Sequence, residues 1–472
     1  MIVGRKKEIE LLKRIYCDNI SHFVAIYGRR RIGKTYLINE VYKNDMLFRH
    51  SGVANGNLKE QLFAFDASLK NSNYQSHEKI VNWFIAFEEL KNLIRASSLK
   101  RKIIFIDELS WMDTPKSDLM KALESFWNGW ASFRDDIILI VCASATSWML
   151  KKVIHNKGGL YNRLTEQIHL NQFTLKECEE YFNMKGILIN RIQILEYYMI
   201  LGGVPYYYNF ICKGLSVPQN IDNIFFKVDA PLKLEFKYLF SSIFKNPNVY
   251  LNIISVLAKK KIGLTREEII KYTKITNSGD LSTKLDELES CGFIRKYNCF
   301  GMKNKGAMYQ IIDSFVIFYY SFLEKNPNDD NFFLNLYNTP TINTYFGFAF
   351  ERVCLLHINQ IKEKLGIRGV YTECNSWYCK KDDESGVNGS QIDLLIVRKD
   401  QIINLCEMKF SNVLFPITEK TLHSINNKIN DLRLVTKTKY AIHPTLVTPI
   451  GLKDNSNALS IQAVITLDDL FL

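Results

Sequence analysis

Two groups of residues in this chain have the types and spacing for phosphate chemistry. The first is Gly28-Arg29-Arg30-Arg31-Ile32-Gly33-Lys34-Thr35, a full match to the pattern G-x-x-x-x-G-K-S/T. Its glycines let the backbone curl so that its N–H groups face a phosphate. Lys34 can reach the β- and γ-phosphates of a nucleoside triphosphate, and the Thr35 hydroxyl can hold Mg2+. The whole run is therefore the expected cradle for ATP, with Mg2+ as its companion. The other half of such a site is an acidic pair ending an apolar strand, and Ile103-Ile104-Phe105-Ile106-Asp107-Glu108 supplies it. Asp107 is the expected Mg2+ ligand, and Glu108 the group that orients and deprotonates the attacking water. Ser144 ends a third apolar run, Ile137 to Ala143. There it could sense the γ-phosphate, although a small polar residue after a strand is also an ordinary turn former.

The second group lies near the C-terminus. Gln391-Ile392-Asp393-Leu394-Leu395-Ile396-Val397 carries one carboxylate among apolar residues. Arg398-Lys399-Asp400 turns it into a second strand, Gln401 to Phe410, where Glu407 and Lys409 stand two apart and share a face. Phe350-Glu351-Arg352-Val353 reads as helix and could bring Glu351 to the same face. An Asp, a short spacer and then E-x-K is the pattern of metal-dependent nucleases. Asp393 and Glu407 would bind Mg2+, a hard cation that takes oxygen ligands. Lys409 would steady the attacking water or the charge that develops. The competing reading is solvated strand charges or a surface Glu–Lys pair.

The elements that must hold these residues can be read from periodicity. His22 to Tyr27 is a buried strand before the phosphate loop, and Tyr36 to Val41 the helix after it. Met46 to His50 is a second strand, and polar Asn55 to His77 the most loop-like connection. Alternating strands and helices over residues 1–215 imply a parallel sheet. From 216 to 325, Asn248–Ala258 is an amphipathic helix, and Thr265-Arg266-Glu267-Glu268 has the spacing of a capping box. Asp280 to Leu288 is a third helix, stopped at Gly292. Phe293–Phe300 and Ala307–Ile312 alternate like a hairpin. Three helices and a hairpin describe a winged helix. Between Asn248 and Ile312 stand 11 Lys/Arg against 6 Asp/Glu, an excess of 11 − 6 = 5 positive charges. The module thus reads as DNA-binding or, equally, as a packing module, with Lys259, Lys260 and Lys261 at its basic face. Residues 326–472 again mix helices and strands, as an α/β restriction-endonuclease-like domain would.

The bulk properties agree with this division. The 472 residues are 47% hydrophobic and carry a net charge of +12, which points to a polyanionic partner such as DNA. Ten cysteines are scattered without zinc-ligand pairs. They read as reduced thiols of a cytoplasmic protein. The charged cluster Arg5-Lys6-Lys7-Glu8 argues against a signal peptide, and no apolar run is long enough for a membrane span.

With these residues in view, the chain resembles the archaeal-type P-loop ATPases of the STAND-like branch. That family joins a P-loop domain, a winged helix and a C-terminal PD-(D/E)xK nuclease-like domain, and the resemblance runs over nearly the whole chain. It implies that Val3-Gly4-Arg5 with Glu8 frames the adenine. Leu160-Tyr161-Asn162-Arg163 resembles the family's L-Y-G-R-x-T segment, with Asn162 in place of Gly and Thr165 kept. The resemblance implies an arginine finger at Arg163, near a subunit edge, and so admits a homo-oligomer. Gly202-Gly203-Val204-Pro205-Tyr206 resembles a G-G-x-P motif that reports nucleotide state; its plain alternative is a helix-ending turn. Glu351, Asp393, Glu407 and Lys409 match the nuclease-like motif. Two function classes follow: an ATP-driven enzyme that processes DNA, or a nucleotide-switched binding protein whose nuclease-like fold only grips it.

Overall fold

The computed structural model describes residues 2–244, 246–301, 307–325, 329–384 and 386–472. Packing divides the chain into two compact units, Met1–Gln172 and Phe173–Leu472. The helices of 173–215 thus pack within the second unit.

The first unit is built on a parallel sheet of five strands: β1 (His22–Tyr27), β2 (Met46–Ser51), β3 (Lys102–Asp107), β4 (Ile137–Ala143) and β5 (Glu166–His169). Their order across the sheet is β2-β3-β4-β1-β5. β3 and β4 are buried along their whole length, as strands covered on both faces must be. Alternate residues feed two cores. Phe23, Ala25, Ile104, Ile106, Leu139 and Val141 enter one. Val24, Ile26, Ile103, Phe105, Ile138 and Ile140 enter the other. Because all five strands run the same way, the residues that follow β1, β3 and β4 emerge at one edge. Residues 55–77 are not the loop expected. They hold the helix Leu58–Asn71, started by a capping box between Asn57 and Glu60. Leu62, Phe65 and Leu69 form its buried stripe, a period hidden by the polar residues between them.

The second unit contains two sheets. A three-stranded antiparallel sheet in the order β6-β8-β7 is formed by β6 (Leu264–Thr265), β7 (Ile294–Tyr297) and β8 (Met308–Ile311). The helices Pro247–Ala258, Arg266–Thr273 and Gly279–Ser290 accompany it. The Thr265–Glu268 capping box forms as expected. A five-stranded mixed sheet follows, of β9 (Thr372–Tyr378), β10 (Gln391–Arg398), β11 (Ile402–Met408), β12 (Ala441–Val447) and β13 (Ala463–Ile465), ordered β13-β12-β11-β10-β9. β10 and β11 are the expected antiparallel hairpin. Tyr297 and Met308 of the small sheet share one core with Trp377, Ile392, Leu395 and Leu405 of the large one. The two sheets are therefore packed as a single body.

The helix Arg191–Leu201 ends at Gly202, whose φ is 64°. At Gly203 a Cβ would lie 2.0 Å from the Phe173 carbonyl oxygen. The G-G-x-P segment is thus a helix-ending turn in close backbone contact with Phe173, and Pro205 opens the short helix Pro205–Tyr208. All ten cysteines are free thiols. No helix among the described residues is long and apolar enough to cross a membrane.

Candidate functional site

The phosphate loop leads from β1 into the helix Lys34–Val41. Lys34 is buried, and its Nζ donates to the Gly28 and Arg29 carbonyls, each at 2.9 Å. The ammonium thus spans the mouth of the loop. Arg5, in the N-terminal segment, donates to the Ile32 carbonyl at 3.3 Å and ties that segment to the loop. Thr35 Oγ1 donates to Asp107 Oδ2 at 2.5 Å. These two hard oxygens, from β3 and the helix after β1, form a fitting pair for Mg2+. Glu108 follows Asp107 in the left-handed region, φ 49°, which turns its carboxylate away from the strand line. There Ser144 grips it: Oγ lies 2.8 Å from both carboxylate oxygens and the Ser144 N–H donates to Oε2 at 3.1 Å. Burial raises the Glu108 pKa and the neighbouring Asp107 charge adds to this, while Lys34 and Ser144 oppose the rise. A carboxyl held above its ordinary value is better suited to accept a proton from water. Ser144 therefore touches Glu108 directly, a contact that its place after a strand did not specify.

Arg163 stands exposed in the turn that leads to β5, and its guanidinium makes no hydrogen bond or ion pair among the described residues. Asn162 has φ 52°, a left-handed backbone that glycine or asparagine tolerates best. That explains how Asn replaces Gly in this segment.

In the second unit the four acid and lysine residues expected to act together do meet. Glu351 on the helix Pro340–Leu356, Asp393 on β10, and Glu407 and Lys409 at the end of β11 line one open cleft of about 550 Å³. Glu407 is buried between two lysines: Lys409 Nζ lies 2.7 Å from Oε1 and Lys428 Nζ 2.6 Å from Oε2. Burial alone would push its carboxyl up, but Lys428 and Lys409 outweigh it and hold the pKa below the ordinary value. Glu351 is raised instead, first by burial and then by the Asp393 charge, with Arg352 and Lys409 opposing. Its nearest cation is Arg352, at 3.5 Å. Gln391 Nε2 donates to Asp393 Oδ1 at 2.9 Å. Among the described residues no three or more His, Cys, Asp or Glu side chains are grouped as a ready metal cage. Asp393 and Glu407 offer the right donor chemistry for Mg2+, and each Glu407 oxygen keeps a lone pair beyond its one lysine contact.

Sequence reasoning missed Lys428 and its helix. Lys420, His423, Ser424, Asn427 and Lys428 of the helix Glu419–Thr436 all line the cleft. Their spacing of three and four residues is one helical face, a polar stripe that periodicity could have shown.

Residues 2–209 match the family described as an ATPase domain predominantly from Archaea. Residues 314–425, which include Glu351, Asp393, Glu407 and Lys409, match a family of archaeal and bacterial proteins of unknown function. An uncharacterised protein of Methanocaldococcus jannaschii is 26% identical over 418 residues, 88% of each chain. An uncharacterised ATP-binding protein of the same organism is 43% identical over 51 residues, 11% of this chain and 86% of its own. Among solved structures, a Walker-type ATPase of Pyrococcus abyssi is similar with a TM-score of 0.47 at 15% identity, over 67% of this chain and 95% of that one. The Aeropyrum pernix ORC2 protein, in ADPNP–ADP complexes, is similar with a TM-score of 0.43 at 14% identity, over 69% and 94%. Both are likenesses of outline only. The matched family, the phosphate loop and the Thr35–Asp107 pair together identify residues 2–209 as a P-loop ATPase domain of the kind found predominantly in Archaea.

Proposed function

We propose that the protein uses ATP to drive work on DNA, and that the cleft of the second unit cuts phosphodiester bonds with Mg2+. In the first unit, Lys34 leaves the Gly28 and Arg29 carbonyls to meet the β/γ-phosphates, and Thr35 with Asp107 holds the metal. Bound Mg2+ would neutralise phosphate charge in both sites. Glu108, once turned away from Ser144, orients the attacking water and takes its proton. Arg163, exposed and without a side-chain hydrogen bond or ion pair among the described residues, is the arginine finger, placed to meet the γ-phosphate of a neighbouring copy. In the second unit, Asp393 and Glu407 are the metal ligands. Glu351 sits beside them as a proton-holding acid, and Lys409 steadies the developing charge. The small sheet with its three helices is read as a winged helix that grips the DNA backbone.

The observation that carries this reading is the convergence of Glu351, Asp393, Glu407 and Lys409 on one cleft from three separate elements. The double lysine contact on Glu407 favours the second reading, a nucleotide-switched protein that grips DNA without cutting. Incubating the protein with linear, circular and single-stranded DNA, with Mg2+ or Mn2+ and with or without ATP, separates the two. Metal-dependent cutting supports the enzyme. Binding without cutting under every condition supports the switch.

A further inference from the structure

The cleft is not lined by the C-terminal sheet and its helices alone. Lys261, which follows the helix Pro247–Ala258, lines it together with Glu351, Asp393, Glu407 and Lys409. This lysine is held in place by its main chain. Its carbonyl accepts from Arg352 Nη2 and from Gln310 Nε2, both at 2.6 Å, and both donors are buried side chains. Arg352 in turn follows Glu351 on its helix and also donates to the Ile311 carbonyl at 3.2 Å. Two residues on, Gly263 has φ 100°, and a Cβ there would meet the Tyr309 carbonyl oxygen at 2.3 Å. The turn is thus clamped against β8 from both sides.

The side chain is left with a different task. Lys261 Nζ lies over the Phe348 ring, 2.8 Å from its centroid, and makes no hydrogen bond or ion pair among the described residues. Around it, Glu351 attracts the ammonium and Arg352 repels it. Lys409 and Lys428 are both already paired with Glu407. Lys261 is therefore an uncommitted cation at the rim of an acidic floor. Arg295, by contrast, is committed: from β7 it donates to Gln310 Oε1 at 2.7 Å and to Ser376 Oγ at 2.6 Å on β9, bracing the same junction. These contacts tie the small sheet to β9 and to the helix that carries Glu351.

We propose that Lys261 is a substrate-binding residue of the C-terminal cleft, holding a backbone phosphate next to the one over Asp393 and Glu407. The inference rests on reading the cleft as a phosphodiester site. It names the substrate as a polynucleotide long enough to lie across both the small sheet's module and the large sheet, rather than a phosphomonoester or a free nucleotide. The basic face of the winged-helix module and the cutting site are then one surface, with Lys261 at the join.

The test uses the full chain with Asp393→Ala, so that nothing is cut, and a fluorescein-labelled DNA duplex. Binding is followed by anisotropy over a range of KCl concentrations. Lys261→Met keeps the stem and the structural carbonyl but removes the charge; unchanged thermal unfolding confirms that it folds. Loss of one phosphate contact should weaken binding about tenfold at low salt and flatten the slope of log affinity against log salt by about 1. Lys261→Arg should restore the slope. Lys13→Met, with the same loss of charge in the first unit, should leave it unchanged. With Asp393 intact, Lys261→Met should raise KM and leave kcat near its starting value. If Lys261→Met binds with the slope of Lys13→Met while Asp393→Ala alone has stopped cutting, Lys261 touches no phosphate and the cleft reading stands without it. If the otherwise unaltered protein neither binds nor cuts the duplex, both fall together.

Discussion

In the first unit an acid, Glu108, is held by a hydroxyl; in the second an acid, Glu407, is held by two ammonium groups. Hydrogen bonds from neutral donors contribute about 1 kcal/mol each and can be exchanged for water or substrate at little cost. A buried carboxylate stripped of its cations is far more costly to expose. The contrast suggests two ways of waiting. On the proposed mechanism, the ATPase site frees Glu108 by exchanging the Ser144 contact for one to water. On the proposed reading of the cleft, Glu407 would exchange its lysines for a cation and the lysines would take an anion, and a metal-bound phosphodiester would bring the two at once.

The comparison can be broken from either end. The largest expected effect is at Arg163. Arg163→Ala should bind ATP normally but turn it over roughly 10³–10⁵-fold more slowly. Mixing it with Lys34→Ala, which cannot hold the β/γ-phosphates, should recover part of the rate if the guanidinium acts on a neighbouring copy. No recovery from a protein that stays monomeric would assign Arg163 a role within its own chain. Next in size, Glu108→Gln should retain ATP and lose about 10²–10⁴-fold in turnover, the usual contribution of a positioned base. Unchanged hydrolysis would show that the Ser144–Glu108 contact is only structural.

The smallest effect concerns the frame of the second unit. His357 is fully buried. Its Nε2 accepts from the Leu175 N–H at 3.0 Å, the first donor of the helix Leu175–Lys185, and its Nδ1 lies 2.8 Å from the Val353 carbonyl. Burial lowers its pKa to about 4, against an ordinary value of 6.5. Between those values the unfolded chain binds the proton that the folded chain refuses, so stability is present above pH 6.5 and is lost as pH falls toward 4. His357→Gln should flatten that acid limb in thermal unfolding curves of the full chain. An equally steep limb in the variant would place the titrating group elsewhere.

The two regions were unequally legible. The phosphate loop, Asp107 and Glu108 could be read because adjacent residues and a buried run fix their geometry locally. The β10–β11 hairpin was legible for the same reason. The sheet order was not, since nothing in sequence says that β4 lies between β1 and β3. The Ser144–Glu108 contact joins residues 36 apart and depends on that order. Helix Leu58–Asn71 escaped because its apolar stripe is diluted by polar residues, although Asn57 and Glu60 announced its start. Lys428 stands on a polar helical stripe and Lys261 in a basic cluster, both visible in sequence, but spacing along the chain does not say that either reaches this cleft.

The central claim is that one chain holds two separate phosphate sites with separate residues. It is tested most directly by measuring ATP hydrolysis and DNA cutting together in Asp393→Ala with Mg2+ present. The account predicts ATP turnover at the unaltered rate and cutting reduced at least ~1000-fold, because a metal ligand worth several kcal/mol of transition-state stabilisation is gone. Cutting at the unaltered rate in Asp393→Ala, or no cutting by the unaltered protein on any DNA, would contradict it.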